Sequence, residues 1–154
     1  MNNKEFEDLF YKVPEGVDYA DILEDVDLED VPDETIQKLT SLLDSDDDYL
    51  RYQASRLLTI WGIREGFDVL TQMYSSHRLY GYDDTNRIFL YDIVNYWASR
   101  YDLGEEKIAR GEIYPYVCKI IEQAETGYYD ISKIYRLVSE EHYTEYIPYL
   151  KHFL

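Results

Sequence analysis

"LRYQASRLLTIWGIREGFDVLTQM", residues 50–73, decides the fold. Leu50, Ala54, Leu57, Leu58 and Trp61 fall at i, i+4, i+7, i+8 and i+11, the apolar stripe of a helix over 48–61. Gly62 follows the stripe at once and predicts its stop, because a helix commonly ends on a residue in the left-handed conformation that glycine adopts freely. A second helix over about 64–75 then directs Phe67, Leu70 and Met73 inward. Two helices joined by so short a turn must lie side by side. The stretch just upstream, "LLDSDDDYL" (42–50), raises a competing reading, since Asp44, Asp46 and Asp48 alternate as in a calcium loop. Such a loop needs glycine at its sixth position and a bidentate acid at its twelfth, and here those are Tyr49 and Ser55. "DVDLED" (25–30) fails in the same way. The aspartates are read instead as a helix start, with Asp46 or Asp47 as the N-cap and Asp48 one turn before Arg51 and Tyr52.

Helical periodicity extends in both directions. Upstream, Phe6, Leu9 and Phe10 mark a turn or two of amphipathic helix over 4–11, and the acid-rich 18–31 reads as short helix or loop. "PDETIQKLTSLL" (32–43) sets Ile36, Leu39 and Leu42 or Leu43 on one face, with Asp33 and Glu34 at the end where the helix dipole favours acids. Downstream, 75–84 reads as a loop hinged at Gly81, and 85–101 as the most buried helix, apolar on nearly every face. "DLGEEKIARGE" (102–112) is a connection. Helices follow over 113–125 (Ile113, Val117, Ile120, Ile121, Ala124), 129–139 (Ile131, Ile134, Tyr135, Val138) and 143–153 (Tyr143, Tyr146, Ile147, Leu150, Phe153). No stretch sustains the two-residue alternation of a strand, so the fold class is all-α.

The helices repeat. An apolar-x-x-apolar-x-x-apolar pattern centres on Leu39, Leu70, Val117 and Leu150, and two copies carry a proline directly after the first apolar residue, Pro115 and Pro148, as if early in a helix. Asp47-Asp48-x-x-Arg51 leads into Ala54, Leu58 and Trp61, as Asp83-Asp84-x-x-Arg87 leads into Leu90, Val94 and Trp97. On these residues the chain resembles the HEAT-like helical repeat. The likeness is most specific over 44–74, weaker over 83–126 and 129–153, and absent before residue 32. It implies a short HEAT-like α-solenoid of antiparallel helix pairs whose second helices line a concave face. In that frame residues 1–154 form one repeat domain, with an acidic N-terminal cap over 1–31 and three to four helical hairpins over 32–154.

Composition narrows the function. The chain of 154 residues carries a net charge of −17 and 18 tyrosines. Residues 1–50 hold 17 acids against three bases, a net −14, whereas 51–154 carry only −3. Nucleic-acid binding needs a basic face to displace counterions, so nucleic acid is excluded as a partner and a basic protein is favoured. No apolar run approaches the ~20 residues that span a bilayer, the N-terminus lacks an apolar signal region, and the single cysteine, Cys118, allows no internal disulfide. The expectation is a cytoplasmic protein with no membrane segment. His77, His142 and His152 lack metal-ligand spacing, no glycine loop cradles phosphate, and Cys118 beside Ile120 and Ile121 reads as a buried structural thiol. No catalytic residue, metal or cofactor is expected.

Tyr91, Tyr96, Tyr135 and Tyr146 sit on apolar stripes and read as structural. Tyrosines off the stripes, beside acids, suit a protein-binding surface with aromatic anchors and charge steering. Tyr80, Tyr82, Asp83 and Asp84 form one such group. Asp46, Asp47 and Asp48 form another, and Asp68, Tyr116 and Tyr149 fall near the expected concave rim. Small acidic HEAT-like chains of this length resemble bacterial immunity proteins of polymorphic or contact-dependent toxin systems. That resemblance implies neutralisation of a cognate toxin domain, often a basic nuclease. The alternatives are a HEAT-like scaffold or adaptor with another protein partner, and a DNA glycosylase-type enzyme of that fold, which the acidic balance disfavours.

Overall fold

The computed structural model describes residues 1–75, 110–126, 132–140 and 142–151. The chain divides into two compact units, Met1–Gly81 and Tyr82–Leu154. Every regular element among the described residues is helical.

In the first unit, α1 (Asn3–Phe10) starts on a reciprocal capping box: the Glu5 amide donates to Asn2 Oδ1 at 2.9 Å, and the Asn2 amide donates to Glu5 Oε2 at 2.8 Å. Leu9 and Phe10 turn inward. The acid-rich 18–31 holds two 3-10 turns, Leu23–Asp25 and Leu28–Asp30. Its acids face solvent except Glu24, which is largely covered, and Leu23, Val26 and Val31 are buried, so this cap contributes its own layer of the core. α2 (Asp33–Leu42) buries Leu39, with Leu43 one turn on. α3 (Asp48–Ile60) packs between α2 and α4 (Arg64–Ser75), and α1 touches both α2 and α3.

The α3–α4 hairpin follows the quoted sequence closely. Gly62 takes φ +73°, a conformation costly for any residue with a Cβ. From there the Ile63 amide donates to the Leu58 carbonyl at 2.8 Å and the Gly62 amide to that of Thr59 at 2.9 Å. This pair of bonds is the Schellman closure of a helix C-terminus. α3 is buried on more faces than its stripe implies, since Ser55 and Thr59 are as buried as Leu57 and Leu58. Their hydroxyls avoid the cost of burial by donating back to their own helix, Ser55 Oγ to the Tyr52 carbonyl at 2.8 Å and Thr59 Oγ1 to the Ser55 carbonyl at 2.6 Å.

These small side chains admit α4 at close range. A Cβ placed on Gly66 would overlap Leu58 Cβ and lie 3.0 Å from the Ser55 carbonyl oxygen and 3.1 Å from the Thr59 amide nitrogen. Two of those atoms are backbone and the third is fixed to it, so the helices themselves would have to part. Gly66→Ala is therefore expected to destabilise the first unit by ~1–3 kcal/mol, the scale of core overpacking. This runs against the ~1 kcal/mol by which alanine is the better helix former. A fall in the urea midpoint at unchanged slope would report it; a rise would show that the helices are not in this close contact.

The second unit contains α5 (Arg110–Thr126), α6 (Ser132–Ser139), a 3-10 turn (Thr144–Tyr146) and α7 (Ile147–Leu150). Ile113, Val117 and Ile121 form the buried stripe of α5, and Cys118 is buried beside them, as the sequence predicts. Tyr146 and Leu150 are buried too, and the Tyr114 ring stacks on that of Tyr146 at 5.4 Å.

Several expectations need correction here. α5 begins at Arg110, so Pro115 lies inside the helix rather than at its start. Proline in that place removes a bond to the carbonyl of residue 111 and crowds it; Gly111 is exposed, leaving water free to reach that carbonyl. The described part of the helix expected over 143–153 is instead a 3-10 turn followed by a short α-helix, because Pro148 has no N–H to join the two. Ile147 is consequently exposed. Tyr135, read as structural, is also exposed. Pro148 does fall in the first turn of α7, and Tyr146 is buried, both as expected. The helix over 85–101, with Tyr91 and Tyr96, lies outside the described residues.

Candidate partner-binding site

The turn between α2 and α3 sorts its four aspartates by role. Asp47 is the N-cap of α3: its Oδ1 accepts from the amides of Tyr49 at 2.9 Å and Leu50 at 3.2 Å, and its own amide donates to Ser45 Oγ at 3.1 Å. Asp44, Asp46 and Asp48, with Leu43, Ser45 and Arg51, line a pocket of about 310 Å3. One guanidinium faces three carboxylates there, so the pocket carries net negative charge. Arg51 also reaches across to α4, donating from Nη2 to Gln72 Oε1 at 3.4 Å. Such a concave acidic surface suits an ammonium or guanidinium group.

The division of labour is testable. Asp47→Ala leaves two first-turn amides without their acceptor and should cost ~1 kcal/mol of stability. Asp46→Asn removes charge from an exposed side chain and should stay within ~0.5 kcal/mol of wild type. Thermal melts of the two variants distinguish them; equal losses would mean that Asp46 also supports the fold.

The remaining predicted residues scatter. Asp68 is exposed on α4, with its Oδ1 3.8 Å from Arg64 Nη1, so a neighbouring charge partly offsets its own. Tyr116 and Tyr149 belong to the second unit, and both are half-buried. Tyr149 meets the Tyr114 ring edge-on at 6.1 Å. Its hydrogen bond to Tyr114, then that of Cys118, holds the Tyr114 phenol well above the usual tyrosine range. Tyr80, Tyr82, Asp83 and Asp84 lie outside the described residues. Of the predicted residues, Asp46 and Asp48 thus line one pocket, and Asp47 is taken up by the N-cap of α3.

Sequence reasoning missed two features of the first unit. One is an aromatic cluster where α1 ends and α3 begins. The Phe6 ring lies 5.9 Å from Tyr11 and 6.0 Å from Tyr49, nearly parallel to the latter at 19°. Tyr11 is 56% exposed and Tyr49 37%. Partial burial, then the charges of Tyr49 and Glu24, raise the Tyr11 phenol above its usual range, and Arg56 opposes them. The rule used for Tyr80 and Tyr82, tyrosine off a stripe beside acids, fits Tyr49, which follows three aspartates, but not Tyr11, which stands between Phe10 and Lys12.

The other is a trio of exposed carboxylates, Asp27, Glu29 and Asp30, with oxygens within 4.8 Å of one another. The 3-10 turn places residues i and i+3 in register, which linear loop spacing does not anticipate. Tyr19 ties the trio: its hydroxyl donates to Asp30 Oδ2 at 2.6 Å and accepts from the Asp27 amide at 3.0 Å. The bond to Asp30 is the main reason that the Tyr19 phenol lies above its usual range. No helix among the described residues is long and apolar enough to cross a membrane. Compared with protein-family models, curated proteins and solved structures, the chain matches none.

Proposed function

We propose that this chain is a non-enzymatic protein-binding module that neutralises a basic toxin domain, as an immunity protein does, within the cytoplasm of the cell that makes it. One observation carries the reading: the net −14 of residues 1–50 is concentrated on a unit that also exposes Tyr11, Tyr19 and Tyr49. Acidic charge steers a basic partner over long range, and tyrosines give rigid contact area at low entropic cost. The architecture proposed is a short HEAT-like solenoid. The α3–α4 hairpin, with its glycine stop and close packing at Gly66, supports that unit, and α2 against α3 supports its stacking on a preceding helix.

The test is growth. If the neighbouring gene encodes a large secreted protein with a variable C-terminal domain, expressing that domain alone should arrest cells and co-expressing this chain should restore them. A chain with no such neighbour, and no protection in the assay, would overturn the reading in favour of an adaptor with another protein partner.

A further inference from the structure

Resting on the reading of the first unit as an acidic protein-binding module, we infer that the aromatic cluster where α1 meets α3 is the anchor point for an arginine side chain of the basic partner. Tyr49 is the second residue of α3 and stacks one face on Phe6. Tyr11 caps the C-terminal end of α1 and is more than half exposed. These rings form a small apolar platform open to solvent.

Charge states what covers it. Asp46, Asp47 and Asp48 precede Tyr49 directly in the turn that starts α3, and the side chains of Asp46 and Asp48 are exposed. Glu24 and Arg56 both lie within electrostatic reach of Tyr11 and pair with each other at 2.9 Å, so together they add no net charge there and the rim is that of Asp46 and Asp48. α1 also ends at Tyr11 with no basic residue in its last turn, so the negative end of its dipole points toward the platform. Aromatic centre and acidic rim together select a flat cation. A guanidinium can lie on a tyrosine face while its N–H groups reach carboxylates at the edge, whereas an ammonium is a compact, strongly hydrated charge that gains less from the ring. Phosphate is repelled by the same rim. A second copy of this chain, itself at −17, would bring acid against acid.

The experiment uses the whole chain and two probes of equal length and charge, octa-arginine and octa-lysine, with affinities measured by calorimetry at low salt. Octa-arginine is expected to bind about fivefold more tightly, the scale of a cation on an exposed ring. Tyr11→Leu, at an exposed position that leaves the core untouched, should remove most of that preference while both peptides still bind. Asp46→Asn with Asp48→Asn should weaken both peptides alike. Equal affinity for the two peptides, or a preference that survives Tyr11→Leu, overturns the anchor and leaves the acidic-module reading standing. A dimer in solution that Tyr11→Leu dissociates also overturns it, since a second copy would then occupy the platform. If neither peptide binds at all, both the anchor and the reading beneath it fail.

Discussion

Glu24→Ala is expected to destabilise the first unit by ~1–3 kcal/mol, because it takes a counter-charge away from an Arg56 side chain that is largely covered. Glu24 Oε1 accepts from Arg56 Nη1 at 2.9 Å, and each side chain is only 14% exposed. The pair ties the first 3-10 turn of the cap to the middle of α3 across 32 residues of sequence. A pair this covered differs from the exposed ion pairs of the same unit, Lys38 with Glu34 and Arg64 with Asp68, which are worth little. Most of the penalty belongs to the charge left in a covered place and not to the bond itself. Glu24→Met combined with Arg56→Met should therefore recover to within ~1 kcal/mol of wild type. Urea unfolding of the three variants checks both halves. If the single variant loses less than ~0.5 kcal/mol, the cap is not docked through this pair.

Leu58→Ala should cost ~2–5 kcal/mol, the range for emptying a fully buried leucine site. Leu58 has no exposed surface and lies against Gly66, where α3 and α4 approach most closely. The loss should fall toward the upper end if the hairpin cannot close around the cavity, and two helices already in backbone contact have little room to do so. A sharper corollary concerns the pair. The atom that a Cβ at position 66 would strike is Leu58 Cβ, which alanine retains. Leu58→Ala should thus fail to rescue Gly66→Ala, and the double variant should be at least as unstable as Leu58→Ala alone. Rescue would mean that the side chain beyond Cβ, and not the backbone approach, sets the helix spacing.

What the sequence disclosed follows the physics of local signals. The stripe from Leu50 to Trp61, the stop at Gly62, the helix through Phe67, Leu70 and Met73, and an N-cap at Asp46 or Asp47 were all legible, since each depends on residues within one or two turns. What escaped depends on partners distant in sequence. The burial of Leu23, Val26 and Val31 was hidden by the acids around them. Glu24 and Arg56 gave no sign of pairing. Ser55, Thr59 and Gly66 look polar or neutral in one dimension, yet they make the closest helix contact because hydroxyls can satisfy themselves on their own helix. The two prolines show the limit of a pattern: the same apolar-proline step opens α7 at Pro148 but lies inside α5 at Pro115. For the site, Asp46 to Asp48 were visible as a charge run. Tyr49 stood beside that run, but its clustering with Phe6 and Tyr11 was not visible, because only the fold brings the end of α1 to the start of α3.

The proposed function stands most directly on one measurement, the rate at which this chain associates with the toxin domain expected in a neighbouring gene, followed as a function of salt. A 1:1 complex is expected. Its association rate should fall at least ~tenfold between low salt and ~0.5 M, as electrostatic steering by the acidic unit is screened. Asp46→Lys with Asp48→Lys should slow association at low salt and leave the dissociation rate nearly unchanged. No complex, or a complex whose association rate ignores both salt and the charge reversal, would contradict the account.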